Sequence, residues 1–198
     1  KLLLKHKMLK IPDIATNKTI TVFGQTMGRN FAKAGKSSIY FDGAGDYLLI
    51  GDYADWDLTG DFTIDLWVHL TSTQDQRFIV PYAAPSMDFP SFVLSYSGGN
   101  FYCLASSNRA SYNILSTSSN SAASQNTWYH LAFVRSGNNY TFYKNGVSAY
   151  TTTNSSAPAG VTTNLYIGAR NVPAYEYTYG YLQDIRITKG KALWTSNF

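Results

Sequence analysis

The sequence predicts an all-β chain: two antiparallel sheets packed as a sandwich. Three observations carry this. The 198 residues include 16 Tyr and 11 Phe among abundant Ser, Thr and Asn, and aromatic and β-branched residues suit a pleated, half-buried surface. Phe62, Ile64, Leu66 and Val68 alternate with Thr63, Asp65 and Trp67, which is the period of a strand with one buried face. Turn signals recur at sandwich spacing, whereas no apolar run keeps a helical period over three turns.

In chain order, strands are expected near residues 2–9, 19–23, 38–42, 46–50, 61–70, 76–81 and 91–96, then 100–105, 111–116, 127–135, 139–144, 147–151, 163–168 and 179–188. Lys144-Asn-Gly-Val147 puts Asn-Gly between two alternating runs. That is a strong hairpin signal, because a type I′ turn needs positive φ at both central residues. Ser97-Gly-Gly-Asn100 reads as a second hairpin turn. One short helical turn is expected around Asp52–Leu58, with Trp56 or Leu58 tucked against a sheet. Ser116–Gln125 and Thr151–Gly160 read as loops. There is no internal repeat, and the length suits one domain over 1–198, with first strands and a basic arm in 1–36.

Five segments, in order, resemble the laminin-G/concanavalin A-like jelly rolls found in bacteriophage and other microbial surface proteins. They are Ser37-Ser-Ile-Tyr-Phe-Asp-Gly-Ala-Gly-Asp-Tyr-Leu48; Gly60-Asp-Phe-Thr-Ile-Asp-Leu-Trp-Val68; Thr127–Arg135 with the hairpin Tyr140–Val147; Asn164-Leu-Tyr-Ile-Gly-Ala169; and the closing Gly180-Tyr-Leu-Gln-Asp-Ile-Arg-Ile187 with its Thr-Lys-Gly tail. Leu2–Leu4 also match a first strand, but Lys5-His6-Lys7 stand where the family often has Phe-Asp-Gly. The resemblance implies a jelly roll that serves as a binding platform more often than as an enzyme. Fold alone does not fix the ligand.

Charge adds little. The net charge is +4, from 16 Lys and Arg against 12 acids, and charged residues are only 14%, low for a soluble domain. Lys1, Lys5, Lys7 and Lys10 cluster at the start, followed by Lys18, Arg29, Lys33 and Lys36. This reads as a solvated basic face. It lacks the interleaved aromatics of a nucleic-acid platform, so nucleic acid is not the expected partner, and neither is a membrane. The single cysteine, Cys103, excludes an internal disulfide and fits folding in a reducing compartment. It lies in an alternating run and reads as a small buried hydrophobe.

Enzyme chemistry finds few candidates. A retaining glycosidase needs two carboxyls about 5–5.5 Å apart, yet the chain has one glutamate, Glu176, and no strand carries acids at i and i+2. Asp65 reads as solvent-facing. His6, His69 and His130 lack metal-ligand spacing, and His130 reads as structural. No nucleophile elbow, P-loop or dinucleotide fingerprint is present.

Calcium is the one metal to weigh, and no cofactor is expected otherwise. The resemblance implies a site joining Asp42, the carbonyls of Gly43–Gly45 and Asp46 to the closing strand, where an inward Gln183 replaces the family's acid. Ca²⁺ affinity follows ligand charge, so little metal dependence is expected. The alternative is that Asp42 and Asp46 brace a tight turn through Asx-type bonds. For ligand binding the candidates are tyrosines: Tyr82, Tyr96, Tyr112, Tyr175, Tyr177 and Tyr179. Their rings suit sugar faces and protein interfaces alike.

Two functions follow as expectations. One is a non-catalytic, lectin-like module of a virion or fibre that binds surface glycan. The other is a structural virion protein, in a capsid decoration or tail, that packs against other virion proteins in an oligomeric assembly. Both place the chain on a virion surface or outside a cell.

Overall fold

The computed structural model describes residues 19–33, 37–51, 53–82, 89–117, 121–170 and 176–198. The expected strand at 2–9 and the first part of the basic arm lie outside them. The described chain is an all-β, two-sheet antiparallel sandwich of fourteen strands. They are β1 (Ile20–Phe23), β2 (Met27–Arg29), β3 (Ser38–Asp42), β4 (Tyr47–Ile50), β5 (Phe62–Leu70), β6 (Gln76–Pro81) and β7 (Phe92–Ser97). Then follow β8 (Asn100–Ala105), β9 (Leu115–Thr117), β10 (Trp128–Ser136), β11 (Asn139–Lys144), β12 (Val147–Thr153), β13 (Leu165–Ile167) and β14 (Tyr179–Lys189). The first sheet runs β1-β4-β13-β6-β7-β8-β9, and the second β12-β11-β10-β5-β14-β3-β2. A single 3₁₀ turn, Tyr53–Asp55, stands where a short helix was expected, and both Trp56 and Leu58 are buried behind it.

Alternation sorts the side chains as the sequence requires. In the second sheet Phe62, Ile64, Leu66, Val68 and Leu70 point inward beside Leu131, Phe133 and Phe142. They meet Phe78, Phe92, Leu94, Phe101 and Cys103 from the first sheet, all fully buried. Burial pushes the Cys103 thiol well above its ordinary pKa. At one end of the sandwich the Arg135 guanidinium donates to Thr59 O (2.7 Å) and Gly137 O (2.9 Å) and lies over the Tyr140 ring. Tyr140 is buried with its hydroxyl on Ser156 O, and burial pushes its pKa up to about 12.

The two hairpin turns form where Asn-Gly and Gly-Gly predict them. Asn145 and Gly146 take φ of 53° and 77°, and Gly98 and Gly99 take 52° and 85°. Three expectations shift. Met27–Arg29 is a strand no pattern marked, and the strand expected at 111–116 forms only at Leu115–Thr117. Strand β14 carries a bulge: Gln183 pairs with Trp67 and Arg186 with Asp65, so Asp184 and Ile185 together face Leu66. Asp184 takes φ 49° there.

Candidate functional site

The bulge decides where polar side chains of the closing strand go. Simple alternation puts Gln183 inward with Ile187. In the structure Gln183 and Arg186 both stand on the outer face of the second sheet, because the extra residue inverts parity between them. Arg186 then reaches Asp65 with two bonds, Nε to Oδ1 at 2.8 Å and Nη2 to Oδ2 at 3.0 Å. The hydrogen bond to Asp65 is the main cause that raises the Arg186 pKa. His130 Nε2 lies 3.1 Å from Asp65 Oδ2. Asp65, expected to face solvent, is on the outer face but buried under these partners.

The same face is aromatic. Strand β5 sends out Trp67 and His69, β10 sends out Trp128 and His130, β14 sends out Tyr181 and β3 Tyr40. Trp67 and Trp128 are half-buried and belong to this outer layer, not to the core that a strand Trp suggests. Two chain segments lie across it. Residues 30–33 cross one side: Lys33 N–H donates to Gln183 Oε1 (2.8 Å), Ser38 Oγ donates to Phe31 O, and the Phe31 ring sits 4.9 Å from His69, 5.7 Å from Trp128 and 4.7 Å from Tyr181. The C-terminal tail crosses the other side. Leu193 N–H donates to Thr63 Oγ1, Ser148 N–H to Asn197 Oδ1, and Phe198 N–H to Gly146 O. Trp194 and Phe198 stack at 3.9 Å, edge-on to His130.

Between the two segments lies a groove of about 400 Å³, lined by Lys33, Trp67, Trp128, His130, Asn145 and Phe198, with Gly146 at its rim. The hairpin turn does two jobs here. Gly146 is buried with positive φ, and a Cβ on it would lie 1.9 Å from Phe198 O, so only glycine admits both turn and tail. Asn145 Oδ1 accepts the His130 N–H at 2.9 Å, which turns the amide's Nδ2 side away from that bond. The Lys33 ammonium stands 5.7 Å from the Trp67 ring centroid.

The tyrosines expected to bind ligand are not gathered in one place. Tyr96 is core: β7 alternation points it inward against Phe101, so it offers no ring to a ligand. Tyr82 is buried on the outer side of the first sheet with Val80 and Val93, under Arg170, and Tyr112 packs there against Phe89. Tyr177 is half-buried near Tyr47 of the first sheet. Tyr179 belongs to the second sheet and covers Gly43. Tyr175 lies outside the described residues. Glu176 is bonded to Arg77 Nη2 (2.9 Å) and Arg170 Nη1 (3.4 Å).

The calcium set does not assemble either. Asp42 and Asp46 share a loop, but their oxygens are engaged there. Asp46 accepts the Gln25 N–H and the Asp42 N–H (2.9 Å), and Asp42 Oδ1 accepts the Ala44 N–H (2.7 Å). Burial raises the Asp46 pKa above its ordinary value against these bonds. Gln183 is elsewhere: Asp42 pairs with Tyr179, four residues back along β14, about 13 Å at strand rise. Among the described residues no three His, Cys, Asp or Glu side chains come together. The Asx-braced turn fits this loop; a shared calcium site with Gln183 does not.

The groove's walls, Phe31–Lys33 and the tail, escaped the sequence reading, since neither sits in a patterned strand. Its floor left a signal: an indole and an imidazole at the outward positions of β5, and again of β10, where polar residues are the rule.

The chain is thus an antiparallel two-sheet sandwich with an aromatic layer and an open groove on the outer face of one sheet. The model of the concanavalin A-like lectin/glucanases superfamily matches residues 42–194, and the chain belongs to that superfamily. Similar solved structures include the binding domain of Paraclostridial Mosquitocidal Protein 1, at TM-score 0.69 and 13% identity over 90% of this chain and 45% of that one. Domain 4 of AbnA, an extracellular GH43 arabinanase of Geobacillus stearothermophilus in complex with arabinotriose, aligns at TM-score 0.63 and 18% identity, over 89% of this chain and 84% of that one. The binding domain of botulinum neurotoxin DC in complex with SialylT aligns at TM-score 0.63 and 11% identity, over 90% and 44%. The chain thus spans less than half of the toxin binding domains. At these identities the likeness shows the fold. No curated protein matches the chain in sequence. No helix among the described residues is long and apolar enough to cross a membrane.

Proposed function

We propose that this chain is a non-catalytic recognition module that binds glycan in the groove on the outer face of its second sheet. The carrying observation is the groove itself: two half-buried indoles, an amide and an ammonium around about 400 Å³ of open space. Indole faces stack on the apolar faces of sugars while amide and ammonium groups meet their hydroxyls. The arabinotriose complex of the arabinanase domain supports a saccharide ligand. Absence of catalysis is supported by the lining, which includes no Asp or Glu, against the two carboxyls a glycosidase needs. Asp65, on the same face, is bonded to Arg186 and to His130 of the lining. The whole chain, 1–198, is read as one such domain, displayed on a virion or fibre and neither membrane-bound nor directed at nucleic acid. A glycan-array screen of the wild type and of Trp128→Ala tests this: array signals that Trp128→Ala abolishes support it, and an array with no signal overturns it.

A second reading takes the same face as a contact between virion proteins. Phe31 and Phe198 favour it, being 46% and 47% exposed, as do large exposed aromatics wherever proteins meet. Light scattering checks it: an oligomer that Phe31→Ser dissociates supports this reading, and a monomer with glycan affinity removes it.

A further inference from the structure

Resting on the glycan-binding reading, we infer that the groove selects an acidic saccharide, one whose uronic or sialic carboxylate meets Lys33. The argument is a charge inventory of the outer face. Asp65 is matched by Arg186, with two bonds, and by His130. Asp184 accepts from Gln183 Nε2 at 3.1 Å and adds to the charge field on Arg186. Lys144 is turned to Ala122 O, at 2.9 Å. Lys33 differs. Its backbone N–H holds Gln183, which fixes the residue in place. Its ammonium stands over Trp67, and no carboxylate of the described residues pairs with it.

The groove therefore presents one Lys ammonium beside an aromatic floor, with no Asp or Glu side chain in its lining. A neutral sugar would stack on Trp67 and Trp128 and offer that charge only neutral hydroxyls. A sugar acid stacks equally and adds a carboxylate to the ammonium. Asn145 also lines the groove, and with its Oδ1 held by the His130 N–H its Nδ2 is left as the amide's donor. The ring plane and the charged corner sit within one monosaccharide of each other, since the ammonium is 5.7 Å from the indole centroid. Uronic and sialic residues share this chemistry: a flat apolar patch and a carboxylate on one ring.

Isothermal titration of the intact chain decides it, with trigalacturonate, sialyllactose, methyl-esterified trigalacturonate and lactose as probes at low salt. The expected result is that at least one acidic probe binds about tenfold or more tighter than its neutral counterpart, a difference of about 1.4 kcal/mol. The preference should shrink with added salt, as a half-exposed ion pair does. The two acidic probes separate uronic from sialic specificity. Lys33→Gln should erase the difference between acidic and neutral probes, while Trp67→Ala should remove binding of both. Equal affinity for acidic and neutral probes, or a preference that survives Lys33→Gln, overturns the inference and leaves glycan binding standing. Binding of none of these probes overturns the inference too; the array then decides separately whether the glycan reading falls with it.

Discussion

The outer faces of the two sheets are both aromatic, and they differ in what their polar atoms do. On the first sheet Val80, Tyr82 and Val93 close over one another with Tyr112 and Tyr166, and the neighbouring charges Arg77, Glu176 and Arg170 are bonded among themselves. Phe23 and Tyr47 stack at 4.2 Å and 9°, sealing the edge. On the second sheet the rings stay open around a groove whose ammonium and amide have capacity left for a ligand. Aromatic content does not separate an open face from a packed one. Unspent polar groups beside the rings do.

The comparison extends inward, and the largest expected effect breaks it there. Phe133, fully buried between the sheets, should cost about 3–5 kcal/mol when cut to alanine, the transfer and cavity terms together. Trp67→Ala and Trp128→Ala, on the open face, should cost clearly less stability in denaturant titration while removing ligand binding. A Trp67→Ala loss as large as that of Phe133→Ala would return Trp67 to the core. Next comes Gly146→Val, expected to destabilise by about 3 kcal/mol or less, from positive φ, and to free the tail from the face. Hydrogen exchange should show Leu193 and Phe198 amides losing protection; unchanged protection would separate turn from tail.

Asp65→Ala leaves the Arg186 guanidinium and the His130 ring without their shared partner. The loss should be about 2 kcal/mol, below that of a fully buried pair, because Arg186 is half exposed and rehydrates. An unchanged melting midpoint would mean the cluster is decorative.

His69 gives a pH test. It is buried among Phe31, Trp128 and Tyr181, and burial lowers its pKa below the ordinary 6.5. A lowered pKa disfavours the charged ring in the fold. Its contribution is therefore full above the ordinary value and is lost as pH falls through the lower folded one. His69→Phe should flatten the decline in stability below about pH 6.5. Asp46 acts the other way, since its raised pKa gives stability at low pH that fades as pH rises through the folded value. The smallest effect is expected from metal. Chelator should leave the midpoint unchanged, because only a ligand of the native state moves it. Gln183→Asp should create no Ca²⁺ response, the side chain being on the outer face away from Asp42.

Most of the fold was legible because alternation and turn chemistry are local. Asn145-Gly146 and Gly98-Gly99 name their turns, and Phe62–Val68 names its inward face. What was not legible depends on one residue of register. The bulge at Asp184 has no local signature, and it moves Gln183 from the inner to the outer face of the sheet, where residues 30–33 cover it, and brings Arg186 to Asp65. The short β2, Met27–Arg29, depends on pairing with β3 and not on its own pattern. The site was half legible. Outward Trp67, His69, Trp128 and His130 could be read from parity, but the covering segments at Phe31–Lys33 and Trp194–Phe198 are joined to the face only by tertiary contacts.

The central claim is that the open face of the second sheet, and not the closed face of the first, binds saccharide. It is tested most directly by measuring the same array-selected glycan against matched variants, Trp128→Ala on one face and Tyr166→Ala on the other. The account predicts that Trp128→Ala abolishes binding and Tyr166→Ala leaves the dissociation constant unchanged. Binding that survives Trp128→Ala and disappears with Tyr166→Ala would contradict it.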